Sequence, residues 1–594
     1  MLNNSLEQNR MNRPVLVFFT DPVLQKPASW WRQFGAVIGP RTVAETAEKY
    51  NLEYIDIESL LLPGSIQDAE VLVRTLSVLT NSEGQKISKM GSFDGYDLWW
   101  IHYDDLYYRY CFPYTQYKLL LTKLSEFTDV HLYNPSSATL FNYYLEAHGC
   151  AVHVIGAKEP KFPNVSLWIQ AALSLLYFLV LVVQKPRLMV WTSDLFDPPH
   201  DYDFRMRYIY EELRRKKTPF VEFIRSIEPW RTVIEHAIRR NRPVVYSHAL
   251  ATILRLFAGY LAPGDSKKVQ VMFPKFATAE DKFRFLVATH YLRTVTGDRW
   301  AIRLMEFILV SIGVQTAIIT TAVSRSFHEV IACKRRNIPT VGILHGIASK
   351  DYNVYDFMPE FEGTKPMSLD LYGVWSSWWK EYYLHHGVVY TPEQLIVSGP
   401  MRPLLVERLE KSVRTDGQVR VLFISEQLGT PSETVPYLEA LLSSPGIEVY
   451  IKFRSYRDGF ESWLMKNRPD ILERVPESRI LRTGMSEAIA VCDVVVGSHS
   501  TAVVEALLYL KPPVLFSTSK WGDYFSLKTL NLCQKLIADT PEEFIELIYA
   551  STKIEEEVLL KLQNRLFGDP HMNGSFWVVS KAEQLLSVKN LTLR

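Results

Sequence analysis

Residues 494–516, VVVGSHSTAVVEALLYLKPPVLF, decide how the chain is read. A run of valines ends at Gly497. Ser498, His499, Ser500 and Thr501 follow, and a helical pattern then carries a single acid, Glu505. The β-branched, uncharged run predicts a buried strand, and Pro512-Pro513 punctuates the start of a second one. Strand, turn, helix and strand in this order form the repeating unit of a parallel α/β sheet. In such sheets ligands bind at the carboxyl ends of the strands, where loops lead into helices. Ser500 or Thr501 would cap the helix. The hydroxyls of Ser498, Ser500 and Thr501 would donate to phosphate oxygens beside helix N–H groups, and Glu505 would accept from ribose or sugar hydroxyls. Simple capping, with Glu505 favouring the helix dipole, explains the same residues equally well when they are taken alone.

The flanking sequence repeats the pattern. VRVLFIS (419–425) is a strand that ends in QLGTP, where Gly429 and Thr430 would form a second loop at a strand end and Gly429 would permit close backbone approach. EVYIKF (448–453) is the next strand, with Lys452, Arg454 and Arg457 at its end. Three phosphate-compatible elements at successive strand ends predict a nucleotide pocket. Further toward the N-terminus, RLMVWTSD, PFVEFIRS, VQTAIITTA and IPTVGILHG alternate with helical stretches. Pro339 opens the last of these, which suits an edge position. A first α/β region covers 14–156, with VLVFF, LEYIDI, DLWWIHY, VHLYN and AVHVIG as strands. The expected organisation is an N-terminal α/β region (1–160), an apolar helix (161–185), an α/β domain (186–409) and a last α/β domain (410–594) opened by the charged linker EKSVRTDG. Residues 351–369 form a long loop suited to an active site.

Composition narrows the functional classes. In 594 residues, 66 Lys and Arg balance 65 Asp and Glu for a net charge of +1. That argues against a general nucleic-acid surface. The five cysteines are widely spaced without a CxxC pair, which fits neither a disulfide framework nor a zinc site. The N-terminus has no apolar core followed by a small-residue cleavage site, so a cytoplasmic protein is expected. Residues 165–183, VSLWIQAALSLLYFLVLVV, carry no charge, and Ser166, Gln170 and Ser174 form one mildly polar stripe. Three environments are open to this segment: a buried helix between domains, a helix docked on a membrane surface, and a membrane span. Asp194, Asp197, Asp201 and Asp203 lack the spacing of a calcium loop and are read as a turn that starts a helix. WWIHYDDLYYRY (99–110) is read as aromatic packing.

Residues 310–535 resemble the GT-B glycosyltransferases, most closely the capsule and teichoic-acid types that include the CDP-glycerol glycerophosphotransferases. The resemblance lies in IPTVGILHGIAS, in DLYGVWSSWWKEYYLHHGVVYTPEQLIVSGPMRP with its V-x-G-x-x-R segment, and in DVVVGSHSTAVVEALLYLKPPVLF, taken in that order. It implies two facing Rossmann-like domains with parallel sheets. It further implies transfer from a nucleotide-activated or CDP-linked donor to a saccharide or lipid-linked acceptor, without a metal or other cofactor and with inversion, for a cell-surface polysaccharide. His345 would be the general base, with Gly346 beside it on the acceptor side. Gly429, Thr430, Lys452, Arg454, Ser498, His499, Ser500, Thr501 and Glu505 would hold the donor. The protein would then act in the cytoplasm or on the inner face of the cell membrane. Arg454-Ser455 stands where relatives carry His-Pro, and His499 stands where they carry serine or tyrosine. A nucleotide-sugar 2-epimerase and a non-catalytic membrane-associated scaffold of the same fold are the alternatives. The former usually carries a glycine-rich donor motif that this chain lacks.

Overall fold

The computed structural model describes residues 13–19, 26–62, 66–81, 83–156, 165–196, 200–261, 278–323, 325–347, 355–357, 366–402, 417–426, 431–454, 459–498, 500–518, 523, 525, 527–528 and 535–592. The chain forms two compact units, Met1–Trp168 with Ala251–Ala301, and Ile169–Leu250 with Ile302–Arg594. The fold is α/β, and all described strand pairs in its three sheets are parallel.

In the first unit, β1 (Val15–Phe18), β2 (Ala36–Gly39), β3 (Glu53–Asp56), β4 (Asp129–Tyr133) and β5 (Ala151–Ile155) lie in the order β3-β2-β1-β4-β5. Every residue of β1 and β2 is buried, as parallel strands covered on both faces require. Trp31, Phe34 and Val43 pack on Leu16, Phe18 and Val37 to make this core. One expected strand is absent. DLWWIHY forms a tight helical turn, Leu98–Ile101, whose start is fixed by the Asp97 side chain accepting from Trp99 N at 3.1 Å. Its four residues are all buried, so an aromatic run that looks strand-like is covered on every side as a helical turn. The aromatic-packing reading of this stretch agrees with Trp99, Trp100, Tyr103, Tyr107 and Tyr110, all buried.

The second unit holds two sheets. β6 (Leu188–Ser193), β7 (Phe220–Arg225), β8 (Val244–Val245), β9 (Thr316–Ile319), β10 (Thr340–Ile343), β11 (Leu371–Val374) and β12 (Leu395–Val397) have the order β12-β11-β10-β9-β6-β7-β8. The order reverses between β6 and β9. β10 is interior rather than at an edge; Pro339 precedes it, and the Pro339 carbonyl accepts from Ala317 N at 2.9 Å. Pro339 stands just before the first strand residue, Thr340, so it interrupts no ladder bond within β10. β13 (Val419–Ile424), β14 (Ile447–Lys452), β15 (Val494–Gly497), β16 (Pro513–Phe516) and β17 (Ile537–Ala538) are ordered β14-β13-β15-β16-β17, which reverses between β13 and β15. ILRTG contributes only a bridge from Ile480 to Ile451.

Two C-terminal helices tie these sheets together. From helix Glu556–Phe567, Gln563 Nε2 donates to Leu507 O at 2.7 Å beside the third sheet. The carbonyls of Arg565 and Leu566 accept from Ser376 Oγ at 2.6 Å and Trp379 Nε1 at 2.8 Å beside the second. Helix Gly574–Thr592 then returns to the seven-stranded sheet, burying Val578, Val579 and Ala582 with Leu188, Ile318 and Val341. Two Rossmann-like sheets held in this way make the second unit GT-B-like; the first unit holds the N-terminal α/β sheet and also takes Ala251–Ala301.

Candidate functional site

The second unit has two points where strand order reverses, one in each sheet. A reversal of strand order leaves a crevice, because the helices after its two central strands pass to opposite faces of the sheet. In the seven-stranded sheet that crevice is a cavity of about 200 Å³. Trp191, Thr192 and Ser193 at the end of β6 line it, with Thr320, Thr321, Val323 and Arg325 after β9, His345 after β10, and Asp203, Arg205 and Met206 from the loop beyond β6.

Asp203 organises one wall. It is buried and grips Arg205 in a two-pronged pair, Nε to Oδ1 at 3.0 Å and Nη2 to Oδ2 at 2.7 Å. It also accepts from Arg205 N at 3.0 Å, capping the turn Phe204–Met206, and from Ser193 N at 3.3 Å. The guanidinium is thus held rigidly at the cavity. The other described aspartates of this stretch are likewise engaged. Asp194 accepts from Ser226 Oγ at 2.8 Å and Arg240 Nη2 at 2.9 Å, and Asp201 pairs with Arg242 at 2.6 Å and with Arg214. Burial would raise Asp194, yet His236 and Arg240 hold its carboxyl below the usual range. Their use as turn and packing residues agrees with the expectation; Asp197 lies outside the described residues.

His345 and Gly346 follow β10. Trp375 Nε1 donates to Leu344 O at 2.7 Å, pinning the backbone just before the histidine. The His345 ring is exposed within the cavity. Its pKa falls to about 4, first through desolvation by the surrounding protein, then through Arg205, Arg402 and Arg454, with Asp203 opposing. Water reaches the ring and weakens both contributions, and the direction stays downward. The imidazole is neutral at neutral pH and able to accept a proton.

The crevice of the five-stranded sheet meets this loop. Gly497 ends β15, where a Cβ would stand 2.8 Å from Ile424 O and 2.9 Å from Val503 Cγ2, so only glycine fits this crossing. Ser498 is buried, and Ser500 precedes the first helical residue, Thr501, without a side-chain capping bond. The helix is shorter than the sequence pattern implied: four residues, Thr501–Val504, run into a tighter turn, Glu505–Tyr509. Its dipole is correspondingly small. A Cβ on Gly346 would come within 3.2 Å of Thr501 Oγ1, so the strand end carrying His345 abuts the start of this helix.

Arg402, from the V-x-G-x-x-R segment, bridges the two sheets by pairing with Glu505 at 2.9 Å. Burial pushes the Glu505 carboxyl up and Arg402 pulls it back. The paired Oε2 has no aligned hydrogen bond, so charge alone joins them. Arg454 pairs with Glu426 at 2.7 Å and its N–H donates to Ser425 Oγ at 3.1 Å. Lys452 directs its ammonium to the Thr483 carbonyl. Gly429, Thr430 and His499 lie outside the described residues, as do 348–354 and 358–365 of the long loop. Arg205, Arg325 and Arg402 are additions to the sequence-derived set. Their positions after β6, β9 and β12 become informative only once the strand order is known.

No family model matches the sequence, and no curated protein matches it. The chain is similar to several solved structures. One is the UDP-GlcNAc 2-epimerase of Neisseria meningitidis bound to UDP-GlcNAc, at 13% identity over 67% of this chain and 99% of that one, with a TM-score of 0.40. A second is the glycotransferase of kitacinnamycin, at 10% identity, 67% and 98% coverage and a TM-score of 0.41. A third is the wall teichoic acid polymerase TagF, at 11% identity, 73% and 96% coverage and a TM-score of 0.39.

Proposed function

We propose that the protein is a glycosyltransferase, or a transferase of the related glycerophosphate type, that uses a nucleotide-activated donor to extend a cell-surface polysaccharide or glycoconjugate. One observation carries the reading: the crevices of two Rossmann-like sheets meet where Gly346 lies beside Thr501, with the neutral His345 ring next to the junction. The nucleotide diphosphate sits in the β13–β15 crevice, against Ser498, Ser500 and Thr501. The acceptor occupies the 200 Å³ cavity. An acceptor hydroxyl attacks the anomeric carbon, the bond from that carbon to the diphosphate oxygen breaks, and His345 takes the hydroxyl proton. In a glycerophosphate transfer the attack is on phosphorus, and the nucleoside monophosphate leaves. Arg402 and Arg454, each beside a carboxylate at the donor crevice, donate N–H groups to the leaving group. Direct attack inverts the anomeric centre. The test is melting-temperature screening with UDP, CDP, CMP and GDP, followed by turnover with the nucleotide that binds. Stabilisation by one nucleotide and transfer from its sugar or glycerol conjugate is the expected result; no response to any of them refutes the proposal.

We further propose that the protein works on a membrane surface. Helix Val165–Gln184 is built inside out: Ser166, Gln170 and Ser174 are buried, while Leu175, Leu176, Leu179 and Val183 are exposed, the last by 82%. Ser174 Oγ accepts from Tyr246 N at 2.9 Å, so the polar stripe is bonded inward. Phe307 and Val310 of helix Ala279–Ile312 are also exposed, with Phe307 in ring contact with Phe178. The helix is long and apolar enough to cross a bilayer, and 22% of its apolar window is buried in the protein. Exposed Lys185 and Arg187 at its end suit anionic headgroups.

A further inference from the structure

The face of β4 and β5 in the first unit carries a cluster that the transfer reaction does not use. His131 pairs directly opposite His153 in the parallel ladder, and Asp129 lies two residues before His131. The period of two along a strand puts all three side chains on one face. Their ligating atoms lie within 4.8 Å of one another. Nε2 of His131 and Nε2 of His153 stand 3.3 and 3.2 Å from the same oxygen, Asp129 Oδ1. That oxygen is closed off from solvent and makes no hydrogen bond with either ring, so two nitrogens converge on it without satisfying it.

Two of the three spacings are close to those of metal ligands. Zinc bonds of about 2.0–2.2 Å in a tetrahedron separate neighbouring donor atoms by about 3.3–3.5 Å. The imidazoles stack with centroids 4.5 Å apart and planes 29° apart, which aims both Nε2 atoms the same way. The Phe34 ring stands edge-on to His131 at 5.1 Å and fixes it. His153 is half exposed on the outermost strand and can turn to close the third edge.

We propose that Asp129, His131 and His153 form a binding site for a zinc-type divalent cation, with water in the fourth position. Two imidazoles and one carboxylate suit zinc and cobalt better than magnesium or calcium. The ion would clamp the outermost strand β5 to β4 through side chains.

The test uses the full chain after treatment with a chelator. Titration with Co²⁺ is expected to give the intense visible absorption of a tetrahedral site at one equivalent, displaced by Zn²⁺, and Zn²⁺ is expected to raise the melting temperature. His153→Gln and Asp129→Asn each should weaken Zn²⁺ binding by more than about 100-fold. His153 is exposed, so its variant keeps the fold, which circular dichroism verifies. A weak octahedral Co²⁺ spectrum overturns the proposal, as does tetrahedral binding that survives either substitution. The cluster is then a histidine–carboxylate pair.

Discussion

Replacing His345 by alanine removes the only imidazole among the described residues that line the cavity while leaving Arg205, Arg402 and Arg454 in their carboxylate pairs. A positioned proton acceptor contributes about 10²- to 10⁴-fold to rate, or about 3–5 kcal/mol of transition-state stabilisation. His345→Ala should therefore lower kcat by at least about 100-fold with little change in the affinity for nucleotide. The pH dependence follows from the pKa of about 4. In the free enzyme the acid limb of kcat/KM should fall near pH 4 rather than at the 6.5 of an ordinary imidazole. A bound diphosphate offsets the three guanidinium groups, so the limb of kcat should lie above that of kcat/KM. Arg205→Gln removes the first of those charges and should raise the kcat/KM limb by about half a unit to one unit. Stability has the same sign. A depressed pKa means the unfolded chain binds the proton first, so stability present above pH 6.5 is lost as pH falls toward 4. The whole shift would amount to about 3 kcal/mol, which solvent screening at the exposed ring reduces to about 1 kcal/mol. Transfer assays by nucleotide release across pH 4–8, with thermal melts of wild type and His345→Ala, measure both effects. Turnover by His345→Ala within threefold of wild type, or an acid limb unmoved by Arg205→Gln, refutes the assignment.

Two other perturbations separate the elements of the site. Arg402→Ala leaves Glu505 buried without its partner and should cost about 2 kcal/mol in urea melts, less than a fully buried pair because the arginine is partly exposed; Arg402→Ala with Glu505→Gln should recover most of that loss, and equal stability of the single variant and wild type contradicts the bridge. Leu179→Ser with Val183→Ser should leave the melting temperature within a degree or two, since both side chains face outward, yet release the protein from anionic vesicles in co-sedimentation. Undiminished sedimentation of that double variant refutes membrane docking.

Much of the architecture was legible because parallel strands buried on both faces are written as short β-branched runs. β6, β9, β10, β13, β15 and β16 all read this way. β8 and β17 were not, since two residues each carry no period. β2, the four residues AVIG, gives only a faint signal. DLWWIHY misled because aromatic residues favour strands and tightly packed helical turns alike, and only full burial around Trp99 and Trp100 distinguishes them. Ser498, Thr501, His345 and Gly346 were visible as strand-end residues, and the structure brings Gly346 to Thr501. The contribution of Arg205 was hidden: it depends on Asp203, two residues away, and on which strands flank the reversal of order. Arg402 was visible as a motif letter, but its pairing with Glu505 crosses between sheets, which no local pattern encodes.

Asp356 tests whether burial near the long loop is as complete as the described turn Tyr355–Phe357 indicates. Its side chain is 3% exposed, its carbonyl accepts from Val388 N at 3.1 Å, and Phe357 packs on Tyr382 and Tyr383 at 5.5 and 4.8 Å. Burial pushes the carboxyl up to about 7, and among the described residues no charged partner pulls it back. A raised carboxyl pKa means that the folded state holds a proton which the unfolded state has already lost. The penalty grows from the ordinary 3.8 up to about 7 and is constant above that. Between pH 5 and pH 8 the wild type should therefore lose about 2–3 kcal/mol to this one group. Asp356→Asn carries no such proton, so it should match the wild type only below about pH 3.8 and exceed it in melting temperature by a margin that grows from pH 5 to pH 8. The amide keeps the size of the acid and its hydrogen-bonding capacity, which isolates the charge. An Asp356→Asn variant whose advantage is the same at both pH values would show that the carboxyl is ionised in the folded protein and that water reaches it past the tyrosines.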